Sequence, residues 1–257
     1  DYGSIRVLSP LYRMTEEISC PTLSTITSIT ITPSRTGNYV VEPIASDMCR
    51  FLVISSNNPD VYINGLTVRG FGGSGFNEPG GLFYLHNDTA GSGPNLYMEN
   101  CGVLNNRTAY GPGNNGGVFY TSGAQVKTIH LVSVNITGNR ADQGGVAYDA
   151  DGTTSYNWQY CNIESNAADD FGGVAWGGSH NWTACNISGN AVNQGGGVCY
   201  EGSFEWLYCT VNNNRADYGG VSCFGDHLWM KCIVNSNVAT TKGGVSWEGT
   251  HSWLRCV

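Results

Sequence analysis

The acidic side chains that could carry chemistry in this chain are sparse. Asp169 and Asp170 are adjacent, and Asp142, Asp170 and Asp217 each precede a Gly-Gly pair by two residues. A glycosidase needs two carboxyl groups at a set separation. A calcium-dependent lyase would need Lys or Arg beside its aspartates, and only 12 basic residues are spread along 257 positions. We therefore interpret these aspartates as solvated turn residues and predict no catalytic residue.

The histidines and cysteines do not have the spacing of a metal site. His180, His227 and His251 each lie two residues before a tryptophan, so they are features of a repeat. No Cys-x-x-Cys pair or neighbouring group of histidines indicates zinc. We predict neither a metal nor another cofactor.

The composition excludes several classes of protein. The net charge is −8 and charged residues make up 12% of the chain, about half of the usual ~25%. This acidic balance gives no electrostatic footprint for nucleic acid. No apolar run approaches the ~18 residues that span a bilayer. The sequence starts at Asp1, without Met and without a basic-then-apolar segment, and we expect the chain to be processed or a fragment.

A repeat is the strongest signal in the sequence. The tripeptide Gly-Gly-Val occurs six times, and its spacing shortens from 28 to about 24 residues along the chain. Tryptophans share this period at Trp158, Trp182, Trp206, Trp229 and Trp253. Cysteines follow three residues later at Cys161, Cys185, Cys209, Cys232 and Cys256. One unit reads W-x-x-C-x-[IV]-x-x-N, then a polar loop, then G-G-V-x-[YWC].

A unit of this length with short β-type runs and no helical periodicity predicts one coil of a β-solenoid. We predict an all-β, right-handed parallel β-helix of about ten to eleven coils, each of 23–28 residues. Equivalent residues then stack about 4.8 Å apart. Charge is scarce because a column of like charges at that spacing would repel itself.

The side that the tryptophans face decides between two functions. Strict alternation from the buried cysteines would place them outside. Their column is apolar in every copy, however, and this favours the interior with a bend or bulge before the cysteine. Exposed tryptophans would instead form an aromatic strip that could stack on sugar rings.

The segment from Cys185 to Ala191 (CNISGNA), followed by Gly196-Gly197-Val198, resembles the repeats of polymorphic outer membrane proteins. Those repeats carry G-G-A-[ILV] and F-x-x-N elements, and similar repeats occur across the pectin-lyase-like superfamily. The resemblance covers residues 61–257, with Val in place of the Ala and Ile or Val in place of the Phe. It implies a secreted or surface-displayed rod with an adhesive or structural role.

Residues 1–60 lack the repeat. We predict an N-terminal cap with the first irregular coils there, a helix starting near Ser9-Pro10, and β-helix repeats over 61–257. The last repeat has no comparable cap. We therefore expect either continuation of the rod in the same chain or end-to-end stacking on another copy.

Two kinds of modification are open to an extracellular chain. Cys20 and Cys49 lie outside the repeats and could form a disulfide. Five Asn-x-Ser/Thr sequons are candidate glycosylation sites, at Asn87, Asn106, Asn135, Asn181 and Asn186. Five sequons are no more than chance would give, so the location of each one must decide whether it is glycosylated. The most loop-like surroundings are those of Asn87 and Asn106.

The leading hypothesis is a non-enzymatic extracellular or cell-surface rod, structural or adhesive, stacking end to end into a filament. Alternatives are a polysaccharide lyase or hydrolase with a groove lined by Asp and Arg or Lys, and a glycan-binding module. The expected partners are copies of the chain and glycans, with no nucleic acid and no membrane span in this segment.

Overall fold

The computed structural model describes residues 2–7, 11–14, 18–19, 28–44, 50–55, 59–73, 75–86, 93–123 and 127–257. The described residues form 33 β-strands and no α-helix. The first seventeen strands are β1 (Tyr2–Val7), β2 (Leu11–Met14), β3 (Ile18–Ser19), β4 (Ser28–Pro33), β5 (Tyr39–Pro43), β6 (Leu52–Ile54), β7 (Asp60–Asn64), β8 (Leu66–Arg69), β9 (Phe83–His86), β10 (Leu96–Glu99), β11 (Gly102–Leu104), β12 (Phe119–Ser122), β13 (Thr128–Val132), β14 (Asn135–Thr137), β15 (Arg140–Gln143), β16 (Ala147–Asp149) and β17 (Ser155–Gln159).

The later strands repeat the same order at a shorter spacing. They are β18 (Asn162–Glu164), β19 (Ala167–Phe171), β20 (Ala175–Trp176), β21 (Ser179–Thr183), β22 (Asn186–Ser188), β23 (Ala191–Val192), β24 (Cys199–Tyr200), β25 (Ser203–Leu207), β26 (Thr210–Asn212), β27 (Arg215–Tyr218), β28 (Ser222–Cys223), β29 (Asp226–Met230), β30 (Ile233–Asn235), β31 (Val238–Lys242), β32 (Ser246–Trp247) and β33 (Thr250–Leu254).

Four parallel sheets run along the axis of the molecule. The first sheet contains β1, β4, β7, β10, β13, β17, β21, β25, β29 and β33. The second contains β2, β5, β8, β11, β14, β18, β22, β26 and β30, and the third contains β3, β6, β9, β12, β16, β20, β24, β28 and β32. The fourth is limited to β15, β19, β23, β27 and β31. This topology confirms the predicted parallel β-helix.

The chain makes fewer coils than the predicted ten to eleven. The first sheet has ten strands and therefore nine steps between neighbours. A step is 24 residues between Ser155 and Ser179, but it is 32 residues between Ser28 and Asp60. The early coils carry longer loops, so dividing the chain length by the late period gives too many coils.

The predicted helix near Ser9-Pro10 is wrong for the part of it that the structure describes. Leu11–Met14 is strand β2, which pairs in parallel with β5. Ser9 and Pro10 lie outside the described residues. Strands β1 to β6 all belong to the same three sheets as the later repeats, because alternating apolar residues such as Ile29 and Ile31 fill the same interior.

A residue in the left-handed region bends the chain just before each cysteine of the repeat. Tyr160, Ala184 and Tyr208 have φ of 55°, 52° and 57°. This corner joins the first sheet to the second, so the tryptophan and the cysteine on either side of it both point inward. The predicted bend between the two columns is therefore present.

The tryptophans form a continuous stack inside the first sheet. Trp158, Trp182, Trp206 and Trp229 are fully buried, and Trp253 on the last coil is 46% exposed. Successive ring centroids are 4.4, 5.2, 4.4 and 4.7 Å apart, with planes within 9° of parallel. Because four of the five indoles are core residues, they cannot serve as a strip for sugar rings.

A buried asparagine ladder runs along the corner that follows the second sheet, at Asn106, Asn139, Asn166, Asn190, Asn214 and Asn237. In Asn190, Nδ2 donates to Oδ1 of Asn214 at 3.0 Å and to the carbonyl of Ile163 at 3.1 Å. Its Oδ1 accepts from the backbone N–H of Asn166 at 3.0 Å. The ladder therefore satisfies polar groups in six successive coils.

Candidate functional site

A polar groove on the outside of the fourth sheet is the strongest candidate for a binding site. One column of this sheet reads Arg140, Ala167, Ala191 and Arg215 in successive coils. Two small residues therefore lie between two long cationic ones. The resulting cavity has a volume of about 430 Å³, which accommodates a small ligand.

Planar polar side chains line the sides of this groove. Asp169, Asn193 and Asp217 occupy its wall beside the alanine floor. Arg140 forms an ion pair with the buried Asp169, whereas Arg215 has no ion-pair partner among the described residues. The groove thus offers carboxylate and amide oxygens as acceptors, and one unpaired guanidinium as a directional donor.

The aspartates are less solvated than the sequence analysis predicted. Asp142 and Asp169 are buried, and burial raises the pKa of Asp142, with the charges of Asp170 and Asp169 adding to the effect. Asp170 accepts a hydrogen bond from Gln194 at 2.8 Å, and Asp217 accepts one from Thr240. The interpretation as solvated turn residues is therefore wrong for Asp142 and Asp169.

An outward aromatic column on the third sheet is of the kind that the glycan-binding alternative requires, although its members were not singled out from the sequence. Tyr84, Tyr120, Tyr148 and Trp176 stack at 5.5, 5.4 and 4.5 Å. In the sequence, the members of this column correspond to the [YWC] position of the repeat motif G-G-V-x-[YWC]. Because each ring covers a face of its neighbour, the column presents mainly ring edges and phenol hydroxyls. The Arg50 guanidinium lies 4.9 Å from the Tyr84 ring and covers one end.

Two of the three repeated histidines, His180 and His227, are buried in the core, and His251 on the last coil is half-buried. His180 lies between Tyr156 and Phe204, with ring centroids at 4.4 and 5.1 Å. Its Nε2 donates to the Gly177 carbonyl at 3.0 Å, and its Nδ1 accepts from Trp158 Nε1 at 3.2 Å. Burial lowers the pKa of His180 to about 3. A neutral imidazole with both nitrogens occupied is structural.

The cysteine column is a stack of thiols. Cys161, Cys185, Cys209 and Cys232 are buried, and the eight described cysteines are all free. Cys256 on the last coil is half-buried. Cys20 and Cys49 lie outside the described residues, so their disulfide stays a prediction.

The thiols of this column hydrogen-bond to backbone carbonyls. In Cys185, Sγ donates to the carbonyls of Trp158 and Thr183 at 3.5 and 3.4 Å. These contacts link each cysteine to the coil before it and to the strand that precedes it in its own coil. The column therefore contributes packing and weak hydrogen bonds to the core.

The sequons occupy very different environments. Asn106 is a buried member of the asparagine ladder, so the prediction that it is a favourable glycosylation site is wrong. Asn135 is exposed, and Asn181 and Asn186 are half-buried on outer faces. Asn87 lies outside the described residues.

The described part of the chain holds no group of three or more His, Cys, Asp or Glu side chains that could bind a metal ion. The described residues also include no helix long and apolar enough to cross a bilayer.

The fold and its stacked columns define a repeat protein of the parallel β-helix class. Comparison of the chain with protein-family models, with curated proteins and with solved structures gives no match. The resemblance to polymorphic outer membrane protein repeats therefore rests on the motif residues alone.

Proposed function

We propose that the chain is the rod of an extracellular or cell-surface protein with an adhesive role. The observation that carries this proposal is the unbroken internal stack, in which Trp158, Trp182, Trp206 and Trp229 each cover the next. Such a column holds successive coils in one register, so the outer faces form a rigid display surface. The motif resemblance to polymorphic outer membrane proteins supports the same role.

The groove on the fourth sheet is the adhesive contact that we propose, with a saccharide as its ligand. Sugar hydroxyls both donate and accept hydrogen bonds, and the groove supplies acceptors from Asp217 and Asn193 and donors from Arg215. The alanine floor leaves room for a sugar ring between Arg140 and Arg215.

Glycan-array binding followed by calorimetry tests this site with the purified full chain. Arg215→Ala should weaken binding about 10- to 100-fold, because a hydrogen bond to a charged group contributes about 1.5–3 kcal/mol. Ala191→Phe should abolish binding by filling the groove. Asn162→Phe, on the outer face of the second sheet, is the matched control and should bind as the parent does. No binding by the parent chain, or equal binding by all variants, would contradict the proposal.

A polysaccharide-active enzyme is the second candidate, and the same groove favours it because Asp and Arg line it together. Incubation of the chain with pectin, alginate and chondroitin in the presence of calcium distinguishes the two. New reducing ends or unsaturated products that disappear in Asp217→Asn would indicate catalysis. Binding without products would favour adhesion.

End-to-end association is a further part of the proposal. The last coil exposes large apolar side chains, among them Ile233, Val238, Trp253 and Leu254. Another coil stacked on this surface would cover them, either from the same chain or from a second copy. Electron microscopy at high protein concentration should show filaments if the coil comes from a second copy. Dispersed particles would contradict end-to-end association between copies.

A further inference from the structure

The sequons are equivalent as sequence motifs but differ in whether their amide nitrogen is available. N-glycosylation uses Nδ2 of asparagine, which must be accessible in the folded product. In Asn106 this atom donates to Oδ1 of Asn139 at 3.0 Å inside the core. A glycan on Asn106 would break the buried ladder, so molecules that carry one cannot reach this fold.

The two half-buried sequons also use their amide nitrogens. Asn181 Nδ2 donates to Oδ1 of Asn157 at 3.0 Å. Asn186 Nδ2 donates to Asn162 at 2.8 Å and to Glu164 at 3.0 Å. A glycan at either position would replace contacts that tie neighbouring coils together on the outer surface.

Asn135 differs from both. Its side chain is exposed on β14, and only its oxygen is engaged. Oδ1 accepts from the Thr137 hydroxyl at 3.1 Å and from Asn162 Nδ2 at 3.3 Å. Nδ2 has no hydrogen-bond partner among the described residues, so its modification costs no contact.

The preceding coil also lacks a side chain at the equivalent position. Asn135 pairs with Gly102 on one side and with Asn162 on the other. Gly102 carries no side chain, so Asn135 has a side chain of its own column on one side only. The other outward asparagines, Asn162 and Asn186, have side chains of the same column on both sides.

We propose that Asn135 is the N-glycan acceptor among the described sequons. In this reaction Nδ2 forms a bond to the anomeric carbon of an oligosaccharide carried on a lipid diphosphate. The bond from that carbon to the diphosphate oxygen breaks, the lipid diphosphate leaves, and the amide proton passes to a base of the transferase. Its occurrence in the native cell rests on the proposed extracellular location.

Secretion of the full chain from a eukaryotic cell line tests the proposal in a way that does not depend on the native location. The folded, secreted protein is treated with a peptide N-glycosidase in ¹⁸O water, which converts each glycosylated asparagine to ¹⁸O-labelled aspartate, and the labelled positions are mapped by mass spectrometry. We expect the label at Asn135 in most molecules and none at Asn106. Asn181 and Asn186 should carry less label than Asn135.

Two substitutions at one position supply matched controls. Thr137→Val removes the sequon without changing the asparagine and should abolish the label at Asn135, whereas Thr137→Ser should keep it. An unlabelled Asn135 in folded parent protein, or a labelled Asn106, would overturn the proposal. Saccharide binding by the groove is measured separately, on Arg215 and Ala191 variants, so failure of one proposal is distinguishable from failure of the other.

Discussion

At the scale of single residues, a polar side chain that is buried in the interior contributes to packing and is not available for catalysis or binding. His180 is surrounded by the rings of Tyr156, Trp158, Trp182 and Phe204. A charged imidazole there would lose its hydration without gaining an anionic partner. The folded state therefore selects the neutral form, which links this residue to the acid stability of the protein.

Replacing His180 with Phe should flatten the dependence of stability on pH. The folded pKa is about 3 and the usual pKa is about 6.5, so the unfolded chain binds the proton first as the pH falls. Stability is complete above pH 6.5 and falls toward pH 3, by about 2 kcal/mol between pH 7 and pH 5. Urea unfolding at pH 5 and pH 7 should give a difference about 2 kcal/mol smaller in the variant.

The same comparison at pH 8 is the control for this variant. His180→Phe removes the acceptor of Trp158 Nε1, so its stability at pH 8 should be lower by about 1–3 kcal/mol. That loss does not depend on pH. Parallel profiles for the two proteins between pH 7 and pH 5 would show that His180 is not the residue that titrates.

At the scale of elements, the Gly-Gly pair sets the approach of neighbouring coils at the entry to the third sheet. Gly144 has φ of 61°, in the region that favours glycine. Gly145 lies against the next coil, and a Cβ there would collide with the carbonyl oxygens of Ala167 and Gly173. Gly-Gly-Val therefore recurs because one position needs an unusual φ and the next needs the absence of a side chain.

Gly145→Ala should destabilise the protein by about 3 kcal/mol or more, because two backbone segments must move to admit the methyl group. Gly152→Ala is the control for backbone strain alone, since Gly152 has a positive φ of 69°, unlike Gly145, and open space around its Cβ position. It should cost only about 1–2 kcal/mol from backbone strain. Equal losses in thermal or urea unfolding would mean that close packing does not explain the second glycine.

At the scale of the whole molecule, stability is distributed along one axis. Each coil contacts only the coils before and after it, so a residue in the middle of the stack has two partners and one in the last coil has one. Trp182 has an indole on both sides, whereas among the described residues Trp253 stacks on one indole, that of Trp229.

Trp182→Ala should therefore cost about 3–5 kcal/mol, and Trp253→Ala less than half as much in the 257-residue chain. Trp182→Phe keeps the apolar stack and should be intermediate, which preserves a test if the alanine variant does not fold. The measurement is urea unfolding followed by tryptophan fluorescence and far-UV circular dichroism. Equal effects of the two alanine substitutions would contradict a stack with nearest-neighbour coupling.

Much of the architecture can be predicted from the sequence because the same residue types recur at equivalent positions of successive coils. The spacing of Trp158 and Trp182 predicts their stacking, and the recurrence of Gly-Gly-Val predicts a tight corner. The predicted helix near Pro10 failed because a strand of four residues in Leu11–Met14 is too short to show its own periodicity. It is held instead by pairing with β5.

The columns and their period were thus determined by the sequence alone, since parallel stacking places residues one repeat apart in contact. Only the tertiary structure decided which outward residues remain accessible. Exposure depends on the residues in the coils on either side: Asn135 is paired on one side with Gly102, which has no side chain, whereas ladder contacts bury Asn106. The groove arises in the same way, because Ala167 and Ala191 lie between Arg140 and Arg215 only when four coils are in register.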